Sequence, residues 1–377
     1  MTTPATWYVN PPARSWRSTP ITDDVLGFHR TLPGYQQTRT VDLPTLAQEL
    51  GVGKVFVKDE SSRLGLPAFK ILGAAYAVSR AVSARFGVTD RALPLDELRT
   101  RVASAVPVTL YAATDGNHGR AVARVARLIG LPAHIFFPAT LTPEATAAIV
   151  GEGATTTELD IQYDDVVEAA MTAAKTDGKA ALLVQDTSWP GYEEVPQWIV
   201  DGYSTLFAEA DGQLAAQGID HVDLVVVPVG VGSLAQAAVR HYRGVAHPPV
   251  VLSVEAENAP AVIESLLAGK AIQVPTSFTI MSGLNCGTPS ENAWPYLLSG
   301  VDAAVTVSDT DAGRAVRDLQ VLDVDSGPCG AATLAGARKV LGDAERRAVL
   351  DLGERAVVLL VSTEGRAANP LPDEEGR

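Results

Sequence analysis

Short runs of β-branched and other apolar residues recur along this chain, separated by alanine-rich stretches of helical character. They read VFVK (55–58), VTLYAAT (108–114), AHIFFPA (133–139), ALLVQDT (181–187), DLVVVPVG (223–230), VVLSVEAE (250–257), AAVTVS (303–308) and AVVLLVST (356–363). Between them lie ILGAAYAVSRAVSARF, NHGRAVARVARLIG, TPEATAAIVGEG and similar segments. A strand that is apolar on both faces has to be covered on both faces. Regular alternation with helices therefore predicts open, mostly parallel twisted sheets flanked by helices, an α/β fold. A chain of 377 residues has room for two domains, or one with an inserted lobe.

Composition narrows the function. The net charge of -14 argues against a nucleic-acid or anionic-membrane surface. No apolar run approaches the roughly 20 residues of a membrane span. The segment MTTPATWYVNPPARSWRS lacks the continuous apolar stretch of a secretory signal. Two cysteines, Cys286 and Cys329, are too few for a disulfide framework or a structural zinc site, so no metal is expected and reduced thiols in the cytoplasm are. The residues from Ala367 to Arg377 are polar and proline-containing and read as a disordered tail.

In open α/β sheets ligands collect at the carboxyl ends of strands, where helix N-termini point their free N–H groups. The unusual peptides of this chain fall at such places. TDGNHG (114–119) follows one strand and opens a helix, with Asp115, Asn117 and His118 in the turn. Asn117 could bond a phenolate-type oxygen, or Asp115 and Asn117 could simply cap the helix. GVGSL (230–234) follows another strand, and Gly230, Val231, Gly232, Ser233 and Leu234 have the makings of a phosphate cradle. With Ala235 the same residues also fit G-x-G-x-x-A, and Glu255 ends the next strand, so a nicotinamide dinucleotide site is an alternative. Lys70 lies among Pro67, Ala68, Phe69, Ile71 and Leu72. Such surroundings lower a lysine's pKa and favour a reactive amine, though a lysine snorkelling from an amphipathic helix has the same neighbours. Asp186 ends an apolar run just before Trp189 and Tyr192, and Thr363 ends the last strand.

In this order, the segments resemble the fold-type II pyridoxal-phosphate (PLP) enzymes, the superfamily of the tryptophan synthase β-subunit and threonine dehydratase. Within it they are most similar to the diaminopropionate ammonia-lyases. The resemblance rests on VKDESSRLGLPAFKILGAAYA, ATDGNHGRAVA, QYDDVVEAA, LVQDTSWPGYEEVPQWIVDGY, GVGSLA, IMSGLNCGTPS and VLLVSTEG, and runs from about residue 30 to 366. It implies a cofactor held on Lys70 as a Schiff base, with Asn117 on the ring hydroxyl, residues 230–234 on the phosphate and Thr363 at the pyridine nitrogen. Lys70 would take the Cα proton of an L-substrate, and Asp115 and Asp186 match acidic positions of the ammonia-lyase pattern. Ser282, Gly283 and Ser326 would border the pocket. The implied activity is β-elimination of 2,3-diaminopropionate to pyruvate and ammonia, or elimination or replacement on another β-substituted amino acid. The implied architecture is a large domain (1–104 and 206–366) and a small one (105–205), with the active site between them, in a homodimer. DSGPCGAATLAG (325–336), with Pro328 and Cys329, departs from the ammonia-lyase pattern.

Overall fold

A computed structural model describes residues 6–19, 21, 23–106 and 108–371. Among the described residues, eleven strands form two sheets. They are β1 (Trp7–Val9), β2 (Thr40–Asp42), β3 (Lys54–Asp59), β4 (Thr109–Ala113), β5 (Ala133–Pro138), β6 (Thr155–Leu159), β7 (Ala181–Leu183), β8 (Leu224–Pro228), β9 (Val250–Ala256), β10 (Ala303–Val307) and β11 (Val357–Ser362). The seven-stranded sheet has the order β1-β10-β9-β8-β11-β3-β2, and the four-stranded sheet the order β6-β5-β4-β7. All pairings are parallel except β1 with β10 and β2 with β3, the two edges of the larger sheet. Each apolar run of the sequence contains a strand. The strands without a counterpart in it, β1, β2 and β6, are sheet edges; β6 is TTTEL, a polar edge that needs no cover.

The chain divides into two compact units. One comprises Met1–Ile21, Gln37–Ser62 and Leu206–Arg377 and contains the larger sheet. Its core is built from Val55, Val57, Leu224, Val226, Leu252 and Leu360 on strands, packed on helix Pro328–Leu341. The other comprises Thr22–Gln36 and Arg63–Thr205 and contains the smaller sheet. This division moves the break expected at 104 to 62, and also groups Thr22–Gln36 with the four-stranded sheet, so Lys70 belongs to that unit. The cause is the packing of helix Lys70–Arg85. It lies on helix Asn117–Ile129. It also meets helix Glu194–Ala215 with almost no gap: a Cβ on Gly73 would lie 2.7 Å from Ile199 Cγ2, and one on Gly202 would lie 2.6 Å from Leu72 O. Only paired glycines permit that approach.

The tail expectation fails for 367–371. Asn369 donates to Ile280 O (2.9 Å) and Glu364 Oε1 (3.2 Å), and Leu371 packs on the larger core. Residues 372–377 lie outside the described residues. Among the described residues, no helix is long and apolar enough to cross a membrane.

Candidate active site

The four-stranded unit gathers its chemistry at the carboxyl ends of β4 and β7, which are neighbours in the sheet. The turn after β4 is held by Thr114, whose hydroxyl oxygen accepts from the N–H groups of Gly116 (2.8 Å) and Gly119 (2.9 Å). Gly116 has φ +137°, a conformation other residues rarely adopt. The turn sets Asp115 just before the helix and Asn117 as its first residue, both half-buried. After β7 the ladder continues through a side chain, with Gln185 Oε1 accepting from Ala113 N at 2.9 Å. Gln185 N in turn donates to the Tyr192 hydroxyl (2.9 Å), which donates to Leu183 O (2.9 Å), and Tyr192 stacks on Trp189. These contacts fix Asp186, which is 5% exposed.

Lys70 is the first residue of helix Lys70–Arg85, not a snorkelling residue within one. Its Nζ donates to Asp186 Oδ2 at 2.6 Å. Burial works against the Lys70 charge, as the sequence suggested. Asp186, with Tyr203 and Asp115, more than offsets it and holds the ammonium well above the ordinary lysine value. The expectation of a lowered pKa is thereby corrected: apolar neighbours bury this lysine, but an adjacent carboxylate outweighs them. Burial also opposes the Asp186 charge, yet the Lys70 ammonium pushes its carboxyl down to about 2. Burial raises the Tyr203 phenol, so it stays protonated. Tyr203 is a site residue that sequence reasoning did not single out. It lies within WIVDGY, and only the meeting of two helices at Gly73 and Gly202 puts its ring 4.6 Å from that of Phe69.

The seven-stranded unit has its own constellation at the ends of β8 and β11. Residues Gly230–Gly232 turn the chain from β8 into helix Ser233–Tyr242, and the first N–H bonded within that helix is Gln236 to Gly232 O. The N–H groups of Ser233 and Leu234 therefore belong to the first turn, the part of a helix suited to an anion. The turn leaves no room for side chains. A Cβ on Gly230 would lie 2.8 Å from Gly283 O, and one on Gly232, whose φ is +101°, would lie 2.7 Å from Leu297 Cδ1. Such a bare backbone cradle fits a phosphate. Ser290 N donates to Val231 O at 2.8 Å, and Gly283 O lies against Gly230, so segment 283–290 packs on the cradle. Thr363 follows β11 and is 3% exposed. Beside it Ser362 Oγ donates to Ser326 Oγ (2.8 Å), and Gly330 leaves space for both. Pro328 and Cys329 open helix Pro328–Leu341, where Glu364 Oε1 accepts from Cys329 N (3.3 Å).

The dinucleotide alternative does not survive. Glu255 ends β9, but its carboxylate oxygens accept from Val262 N (2.7 Å) and Ile263 N (2.8 Å), capping helix Ala261–Ala268. It is fully buried and not presented to a ribose.

The chain is similar to known proteins in sequence and in fold. The family model described as pyridoxal-phosphate dependent enzyme matches residues 31–363. A diaminopropionate ammonia-lyase from Salmonella typhimurium is 34% identical over 361 residues, covering 91% of this chain and 88% of that one. The crystal structure of the Escherichia coli diaminopropionate ammonia-lyase in complex with D-serine is similar with a TM-score of 0.85 and 31% identity, over 96% of this chain and 94% of that one. The same enzyme in complex with an aminoacrylate-PLP azomethine reaction intermediate gives a TM-score of 0.83 at 30% identity, covering 96% of both chains.

Proposed function

This chain belongs to the pyridoxal-phosphate dependent enzyme family, and on that premise we propose that it eliminates ammonia from 2,3-diaminopropionate. With one water, the substrate gives pyruvate and two ammonia. The observation that carries the reading is the Lys70–Asp186 pair with Asp115 acting on the same ammonium, one amine and two carboxylates at adjacent strand ends. The similarity to diaminopropionate ammonia-lyases over nine-tenths of the chain supports the substrate.

Pyridoxal phosphate, when bound, supplies an electron sink for the pair left as the Cα–H bond breaks. Lys70 would be the attachment point for its aldehyde carbon, Asn117 would donate to its ring hydroxyl, and Thr363 would meet its pyridine nitrogen. Gly230, Val231, Gly232, Ser233 and Leu234 would hold its phosphate with backbone N–H groups and the Ser233 hydroxyl. As a neutral amine, Lys70 would remove the Cα proton of the L-isomer, and Asp115 would do so for the D-isomer. The proton so removed would return to the departing β-amino group, from Asp115 where its carboxyl took it, or from the Lys70 ammonium held by Asp186. Asp186 also orients Lys70 through their 2.6 Å contact.

The test is a screen of purified protein with 2,3-diaminopropionate, serine and threonine, read as release of pyruvate or another keto acid. Pyruvate from diaminopropionate is the expected result. Failure with it, alongside turnover of serine or threonine, overturns the substrate. A cytoplasmic setting and a homodimer belong to the same proposal. The buried thiols Cys286 and Cys329, not joined in a disulfide, suit a reducing compartment, and light scattering measures the dimer.

A further inference from the structure

His118 is 1% exposed, at the second position of helix Asn117–Ile129. Its Nε2 lies 2.7 Å from Val184 O. A carbonyl only accepts, so Nε2 carries a hydrogen. Its Nδ1 is buried, without a hydrogen-bond partner, and faces Asp186 Oδ2 at 3.8 Å. That oxygen is the one that receives the Lys70 ammonium. A single carboxylate oxygen thus stands between two bases. With Lys70 charged, the carboxylate is compensated and a neutral His118 suffices. With Lys70 neutral, as proton abstraction requires, the carboxylate would be buried beside an imidazole lone pair and without that ammonium, an arrangement that is strongly disfavoured.

We propose that Lys70, Asp186 and His118 share one proton, resting on Lys70 Nζ in one state and on His118 Nδ1 in the other. Transfer breaks an Nζ–H bond, passes the proton through Asp186 Oδ2 and forms an Nδ1–H bond, so the net charge of the three groups does not change. His118 is therefore a positioning residue: it lets Lys70 become a neutral amine while a cation stays beside Asp186 Oδ2, whose other oxygen accepts from Gln185 Nε2 (3.4 Å). The other ionisable groups around the three are Asp115 in the turn before His118, Tyr203 beside Lys70, and Tyr163 and Tyr192, both hydrogen-bonded to Gln185. This inference rests on the role proposed for Lys70, but not on the identity of the amino acid consumed.

The experiment uses full-length Lys70→Arg and Lys70→Gln chains labelled with 15N histidine, titrated by NMR. Neither can attach the cofactor covalently; one keeps the cation and the other lacks it. The expected result is that His118 in Lys70→Gln binds a proton at least tenfold more tightly than in Lys70→Arg. Adding Asp186→Asn to both should abolish the difference. Equal titration in the two single variants overturns the proposal, as does a difference that persists after Asp186→Asn has been added to both. If Lys70→Gln does not fold, Lys70→Met serves as the neutral member. A protein that consumes serine but not diaminopropionate would refute the proposed substrate and leave this comparison unchanged.

Discussion

Replacing Asp186 by asparagine keeps the side chain's shape and removes its charge. The fall of the Asp186 carboxyl from 3.8 to about 2 is a preference for the charged form of about 2 kcal/mol. Burial has already worked against that charge, so the attraction to the cation beside it is at least this large. The attraction is mutual. In Asp186→Asn the Lys70 ammonium loses at least as much, and its proton affinity drops on the order of 50-fold or more. Burial and its place at a helix N-terminus then disfavour the cation, with Tyr203 and Asp115 still acting the other way. The assay is recapture of free pyridoxal phosphate after the bound cofactor has been stripped, followed as the return of the visible absorption band. Only the neutral amine reacts, so the rate at a fixed pH below the lysine's titration follows the neutral fraction. At pH 7 the variant should recapture on the order of 50-fold faster, with its pH profile displaced to lower pH, while turnover falls. An unchanged pH profile would show that the 2.6 Å contact does not govern the lysine's charge, and the electrostatic account of the site would fail.

Three further outcomes follow from particular contacts. Lys58 and Glu209 form a fully buried ion pair at 2.8 Å, so Glu209→Ala should cost about 3–5 kcal/mol in urea unfolding while Lys58→Met with Glu209→Leu costs far less; a loss below about 1 kcal/mol for the single variant contradicts this. Gly202→Ala would set a Cβ 2.6 Å from Leu72 O and 2.7 Å from Gly73 Cα, backbone atoms that cannot swing aside, and calorimetry should find it about 1–3 kcal/mol less stable. Because the folded value of Asp186 lies below its unfolded one, its contribution is full above about pH 3.8 and lost as pH falls toward 2. The stability gap between wild type and Asp186→Asn should therefore be constant near neutrality and close over that acid window; a gap that survives at pH 2 refutes the assignment.

The sequence by itself determined the sheets and the peptides that bear chemistry. Parallel strands buried on both faces have to be apolar throughout, so β3–β5 and β7–β11 announce themselves, and the turns that follow them stand out because glycine and polar residues interrupt apolar runs. The polar or very short edge strands β1, β2 and β6 obey no such rule and were invisible. What only the tertiary structure decided was which charges meet. Lys70 and Asp186 are 116 residues apart, and no local pattern states that they lie 2.6 Å apart. Without that distance, apolar neighbours argued for a neutral lysine. With it, the carboxylate prevails, because attraction between charges rises steeply at close range in surroundings that screen it weakly. Glu255 shows the same limit from the other side. Its position after β9 suited a ribose, but the fold spends its carboxylate on a helix N-terminus. Tyr203 and the Nδ1 atom of His118 join the site only because glycine-lined helices and a side-chain-extended strand bring their neighbours close. Residue type and order set the available chemistry; contacts between distant segments set the protonation states in which it operates.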